Sequence, residues 1–462
     1  MPGEEADFLA RPRQAVSALA ACLRQAGAQP ETLSPLWFDV YSACLEDAER
    51  KQQLRLALAG LFHVNRESPL TAGLSRQLWL TRGSRMRGSV TAFESFYACP
   101  FQHFARFGLR LRERPVFKLE PPGMGLLLHA VVKSFGEAVQ RAGRDWGDLD
   151  RAETGALCAA IVDELAPRLQ NEILLSSAQY RHIQGRIRRT AETVIWRLCE
   201  FDRGSCFKPL ALEQSFGMGG DSLPPIVLQL GDGIELELAG QIDRLDCAEH
   251  NGKSYFLVID YKSGGAWLEL LDVYHGLKLQ LLLYLLASCR LGGMLTGAAD
   301  CLPAGVLYYF LRRPSVTSAT YLPPDKVAEK LNAQMKMPGW VLADPDIVRL
   351  LDRDINQYSQ FLKIGFSPQK GTFYKTTAQY LKEPQQFSLL MRHVEQQCRR
   401  AATAILGGDI DLRPFDLAGR TACERCRFRP VCQFDKLLTD NDFTKLPQLD
   451  DTTIFSLIGR EE

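Results

Sequence analysis

The pair Asn251-Gly252 constrains this chain more than any other short stretch. A two-residue type I′ hairpin turn needs positive φ at both central positions, which asparagine and glycine tolerate best. The pair joins two runs with strand character, QIDRLDC ending at Cys247 and SYFLVIDYK from Ser254 to Lys262, so a tight antiparallel hairpin is expected. With that turn, His250 opposes Lys253 and opposed residue numbers sum to 503. Asp243 and Asp260 satisfy the same sum. Their β-carbons are then expected about 4.5–5.5 Å apart. Lys262 lies two residues past Asp260 and projects to the same side.

Two carboxylates so close repel unless a cation or a proton lies between them. With a lysine beside them they outline a site for a metal ion and water. The competing reading is a solvated strand face. Against it, Tyr255–Ile259 (YFLVI) shows no polar alternation, as expected of a strand covered on both sides. A register slip of one residue would send Asp243 to the other face.

A chain of 462 residues exceeds a single compact core, so two or three domains are expected. With 55 Lys+Arg against 54 Asp+Glu, no overall basic excess announces nucleic acid. A nucleic-acid partner would need a local basic groove. Two strips qualify, RFGLRLRER from Arg106 to Arg114 and RHIQGRIRR from Arg181 to Arg189, although such a strip is more often just a solvated helix face or loop. No apolar run is long enough to cross a bilayer, and the first residues lack a signal-peptide core, so a cytoplasmic protein without a membrane partner is expected.

Residues 1–85 read as helices, 86–435 as the chemical domain and 436–462 as a tail. Helical spacing covers Ala15–Leu23 and Ala43–Phe62, and Thr81–Ser89 reads as a linker. Thr91 and Glu94 suggest a capping box for a short helix that stops at Cys99, before Pro100. His129 follows Gly125 by one helical turn, and that glycine would let another segment approach closely. Glu213 stands within an expected strand, as a site residue or simply an outward-facing one. A helix is expected from about Glu269 to Arg290, with Gln280 and Tyr284 on one face. The segment 336–385 reads as loop-rich.

Cys423, Cys426 and Cys432 have C-x2-C-x5-C spacing, a strong metal-site signal that lacks its fourth ligand locally. Cys99 is the candidate fourth, and zinc and iron–sulfur both fit. Gly252-Lys253-Ser254 imitates the end of a phosphate-binding loop. However, the required earlier glycine is Cys247 and a strand, not a helix, follows.

Taken in order, CPF after a short helix, G-x-x-x-H, GQIDRLD, VIDYKSG, Q-x-x-x-Y and C-x2-C-x5-C resemble the RecB-type branch of the PD-(D/E)XK nucleases. Within that branch the likeness is to the nuclease domain of AddB-type helicase–nuclease proteins, over about Ser89–Phe434. The resemblance implies an α/β nuclease core, a mixed central sheet flanked by helices, with extra helical segments and an iron–sulfur staple. It implies a divalent metal, Mg²⁺ or Mn²⁺, on His129, Asp243, Asp260 and the backbone carbonyl of Tyr261. Lys262, Gln280 and Tyr284 become catalytic or orienting residues. Cys99, Cys423, Cys426 and Cys432 become ligands of a [4Fe–4S] cluster. The implied activity is metal-dependent exonucleolytic cleavage of single-stranded DNA in end processing, beside an AddA-like helicase. AddB proteins are more than twice this long, so the chain is expected to be a fragment or a short relative. Two other functions remain open: a stand-alone iron–sulfur exonuclease of the CRISPR-adaptation type, and a DNA-binding or docking module without activity.

Overall fold

The computed structural model describes residues 11–460 except 28, 62–64, 66–67, 82, 115–120, 167–177, 368 and 439–440. Two compact units emerge, Met1–Pro69 with Ile410–Lys445, and Leu70–Asp409 with Leu446–Glu462. The three-cysteine segment lies in the first of these units, with the N-terminal helices.

In the first unit, helices α1 (Pro12–Ala26), α2 (Pro35–Glu46) and α3 (Ala48–Leu61) enclose a small core around Val16, Leu19, Trp37, Val40 and Leu54. Polar contacts tie this part of the chain to the cysteine segment. Asn65 Nδ2 donates to the Cys432 carbonyl at 2.8 Å, and Asn441 Nδ2 donates to the Asn65 carbonyl at 2.8 Å.

The second unit is built on a nine-stranded sheet flanked by helices. Its strands are β1 (Leu80–Thr81), β2 (Arg85–Ser89), β3 (Lys208–Phe216), β4 (Ile226–Gly231), β5 (Ile234–His250), β6 (Lys253–Lys262), β7 (Cys301–Phe310), β8 (Gly339–Leu342) and β9 (Leu381–Lys382). The order is β1-β2-β5-β6-β7-β8-β9, with β3 and β4 also paired to β5. The sheet is mixed: β6 pairs antiparallel with β5 and parallel with β7. Helix α4 (Ala72–Trp79) leads into β1, and α5 (Val90–Ala98) follows β2. Helices α6 (Pro121–Arg141), α7 (Arg151–Leu165) and α8 (Ala178–Gly204) pack together, as do α5, α10 (Gln280–Leu291) and α11 (Pro384–Leu406). The short helix α9 (Leu270–Tyr274) precedes α10.

The hairpin has the expected register, from His250↔Lys253 to Arg244↔Ile259. Asn251 and Gly252 adopt φ of 52° and 74°. Six consecutive residues of β6, Phe256–Tyr261, are buried, so the strand is covered on both faces.

The long strand β5 changes partners midway. β2 pairs with Glu235–Ala239, whereas β6 pairs with Arg244–His250. Residues 240–243 therefore have no ladder partner on that side, and a gap opens just where Asp243 stands.

Three local expectations need correction. Thr81–Ser89 is not a linker, because Arg85–Ser89 forms β2, with Met86 and Gly88 buried between exposed arginines. A strand with one apolar side chain gives almost no periodic signal. The helix drawn from Glu269 to Arg290 is broken into α9 and α10. The capping box at Thr91 is absent, for Ser89 caps α5 and Glu94 is used elsewhere.

Candidate active site

Asp243 projects into the gap in β5. Its Oδ2 accepts the Tyr261 N–H at 2.8 Å. Ladder pairing stops at Arg244, one residue short of Asp243, because this side chain takes the amide that a strand carbonyl would otherwise take. His129 of α6 faces the same carboxylate, with Nδ1 at 3.7 Å from Oδ2. Gly125 lets α6 come this close, since a β-carbon there would lie 2.6 Å from Ser263 Oγ.

Glu213 completes a third side. Ligand atoms of His129, Glu213 and Asp243 lie within 4.8 Å of one another, a spacing that suits one metal ion. The β3–β5 register brings Glu213 opposite Asp243, between the pairs Leu212↔Arg244 and Gln214↔Ile242. Glu213 has φ of 50°, a left-handed backbone rare for glutamate. Sequence reading left this acid undecided; its strand kink has no periodic signature.

Asp260 is buried and leans on Lys262, whose Nζ lies 2.6 Å from Oδ2. The geometry is not that of a hydrogen bond, and Oδ2 has no aligned donor among the described residues. Lys262 Nζ donates instead to Gln280 Oε1 at 3.0 Å, and Gln280 Nε2 reaches Tyr284 OH at 3.4 Å. The expected Gln280–Tyr284 face thus holds the lysine.

Glu94 was missed as a member of this assembly. Its Oε1 accepts the N–H groups of Leu279 and Gln280, at 2.7 and 3.1 Å. A carboxylate there satisfies orphan donors at the start of α10 and complements the helix dipole. The break between α9 and α10 makes Gln280 the first residue of its helix, so Glu94 fixes where Gln280 begins.

Burial pushes Asp243 up to about 6, partly opposed by the Tyr261 amide, and pushes Asp260 up to about 6 against the pull of Lys262. Burial likewise raises Glu213 and lowers His129. Clustered acids that burial holds back from ionisation, beside an imidazole that burial holds back from protonation, fit a divalent cation.

The PD-(D/E)XK nuclease superfamily model matches residues 87–433. The chain belongs to the PD-(D/E)XK nuclease superfamily. A second model, the fifth domain of the ATP-dependent helicase/deoxyribonuclease AddB, matches residues 2–60, part of the segment that sequence motifs left unassigned. Among curated proteins, an ATP-dependent helicase/deoxyribonuclease subunit of Desulforamulus reducens is 40% identical over 456 residues, 99% of this chain and 39% of its own length. The protein of the same description from Pelotomaculum thermopropionicum is 39% identical over 458 residues, again 99% of this chain and 39% of the relative. That of Heliobacterium modesticaldum is 39% identical over 455 residues, 95% of this chain and 36% of the relative. The AddB resemblance and the nuclease fold are thereby borne out. The chain spans about two-fifths of the length of the first two relatives.

Cys423, Cys426 and Cys432 lie near one another, and burial, then the neighbouring Cys432, raises the Cys426 thiol. Cys423 is pushed up to about 11, by burial first and then by the other two. Cys99 is buried in the other compact unit. No helix among the described residues is long and apolar enough to cross a membrane.

Proposed function

We propose that this chain hydrolyses phosphodiester bonds of single-stranded DNA from an end, with the metal-site residues above as its catalytic centre. The observation that carries the reading is the convergence of His129, Glu213 and Asp243 beside Asp260 and the Lys262–Gln280 pair. His129, Glu213, Asp243, Asp260 and the Tyr261 carbonyl would hold the cation, Mg²⁺ or Mn²⁺. When bound, it supplies positive charge beside the scissile phosphate and favours ionisation of water. Lys262 orients the attacking water and offsets charge that develops on the phosphate. Gln280, backed by Tyr284 and Glu94, keeps the ammonium aimed at that spot. Cys99, Cys423, Cys426 and Cys432 would carry a [4Fe–4S] cluster as a structural staple. An AddA-like helicase is the expected partner, by similarity to the helicase/deoxyribonuclease relatives.

Asp260→Ala and Lys262→Ala each test the assignment. Either variant is expected to lose Mg²⁺-dependent cutting of end-labelled single strands while keeping wild-type circular dichroism. Cleavage at the wild-type rate by either variant would remove the proposed centre.

A further inference from the structure

A cavity of about 790 Å³ opens beside the end of β2, and none of the proposed metal ligands lines it. Arg87, Arg106, Arg110 and Arg112 line it, and all four are exposed. Among the described residues none of them pairs with a carboxylate, whereas Arg85, next door, bridges Glu235 and Glu237. In a chain of net charge +1, four unneutralised guanidinium groups around one cavity are a local feature.

The same cavity has an aromatic wall. Trp79 stacks on His103, centroids 4.9 Å apart at 29°, and His103 in turn faces Phe107 at 5.4 Å. Arg106 covers the Phe107 ring at 5.1 Å. Burial drops His103 to about 4, so at neutral pH it is an uncharged ring. The backbone is unusual here: Phe104–Gly108 forms a π-helical turn, and Arg110 has φ of 53°. Such turns inside helices are frequent at functional sites.

The cavity is continuous with the catalytic strand. Ala239 lines it and lies four residues before Asp243 on β5. Burial alternates along this strand, and Ala239, Gln241 and Asp243 share the less buried set. Four residues of strand span roughly 13 Å, the reach of a few nucleotides.

We propose that this cavity holds the single DNA strand a few nucleotides from the scissile bond, its phosphates on Arg106, Arg110 and Arg112 and a base against the aromatic wall. Sequence-independent strand binding uses this combination of cationic groups and stacking rings. A duplex keeps its bases stacked on each other and offers none to such a wall. The proposal rests on the nuclease reading above.

The test uses a triple variant, Arg106→Ala, Arg110→Ala and Arg112→Ala, with a fluorescent single-stranded oligonucleotide and a duplex of the same sequence, without divalent ion. Loss of about tenfold or more in single-strand affinity is expected. The slope of log affinity against log salt should fall by about 2, from three contacts at about 0.7 each. Mn²⁺ affinity and thermal stability should stay at wild-type values. Unchanged single-strand affinity and slope would overturn the groove, and so would a loss confined to the duplex. If the wild-type chain cuts no DNA but the variant still loses strand affinity, the nuclease reading falls and the groove stands. If the wild type cuts and the variant binds normally, only the groove falls.

Discussion

At the scale of single residues, the site trades stability for chemistry. Asp243 and Asp260 are both held near 6 by burial, above their ordinary value of 3.8. A raised folded-state pKa means that the metal-free fold is favoured below pH 3.8 and loses that contribution as pH rises through about 6. A divalent cation reverses the penalty, because it binds the ionised carboxylates. Mn²⁺ should therefore raise the melting temperature clearly at pH 7.5 and little at pH 5, and calorimetry should show proton release on binding between these limits. An equal thermal shift at both pH values would contradict this account. Glu213→Gln removes a charged ligand but keeps the size, so Mn²⁺ affinity should fall by about tenfold or more, read by titration calorimetry. Gln280→Ala leaves the acids in place and frees Lys262. The cleavage rate should then drop by up to ~10²-fold with metal affinity unchanged.

At the scale of elements, two close contacts hold the strands and helix of the candidate site in place. Gly240 pairs with Phe216 of β3 but has no ladder partner on its other side, and a β-carbon there would lie 2.8 Å from the Phe216 ring and 2.9 Å from Tyr284. Gly240→Ala should cost about 1–3 kcal/mol in chemical denaturation and displace Tyr284. Glu94→Ala leaves two amides at the start of α10 without their acceptor. It should cost about 1–2 kcal/mol and lower activity, whereas Glu94→Gln, which keeps an acceptor oxygen, should retain most of both. These effects come from the join between the elements. α10 is apolar, and it owes its starting point to a carboxylate nearly 200 residues earlier in the chain.

At the scale of the whole molecule, the three-cysteine segment shares a compact unit with residues 1–69, and the proposed metal ligands His129, Glu213, Asp243 and Asp260 lie in the other unit. The family match from 87 to 433 runs through both. Cys426→Ser should remove the iron, sulfide and brown colour of anaerobically purified protein and destabilise the unit that holds it. Mn²⁺ affinity at His129, Glu213 and Asp243 should hardly change. Iron analysis and calorimetry on one preparation check both halves of this expectation, and a colourless wild-type protein with stoichiometric zinc would favour a zinc staple instead.

What could be read from the residues alone is what short range controls. Asn251-Gly252 sets its own turn, the turn sets the pairing from 244 to 250, and pairing period two places Asp260 beside Lys262. Spacing of four on a helix likewise joins Gln280 to Tyr284. Long-range packing decided the rest. The change of partner along β5 opens the gap that turns Asp243 toward Tyr261 and His129. A left-handed residue in β3 delivers Glu213. Glu94 abandons its neighbour Thr91 for a helix far along the chain, and Arg85–Ser89 becomes a strand because β5 stands ready to pair with it. Periodicity records which side chains share a surface; which surfaces meet, and where a ladder must part, is settled only when the whole core closes.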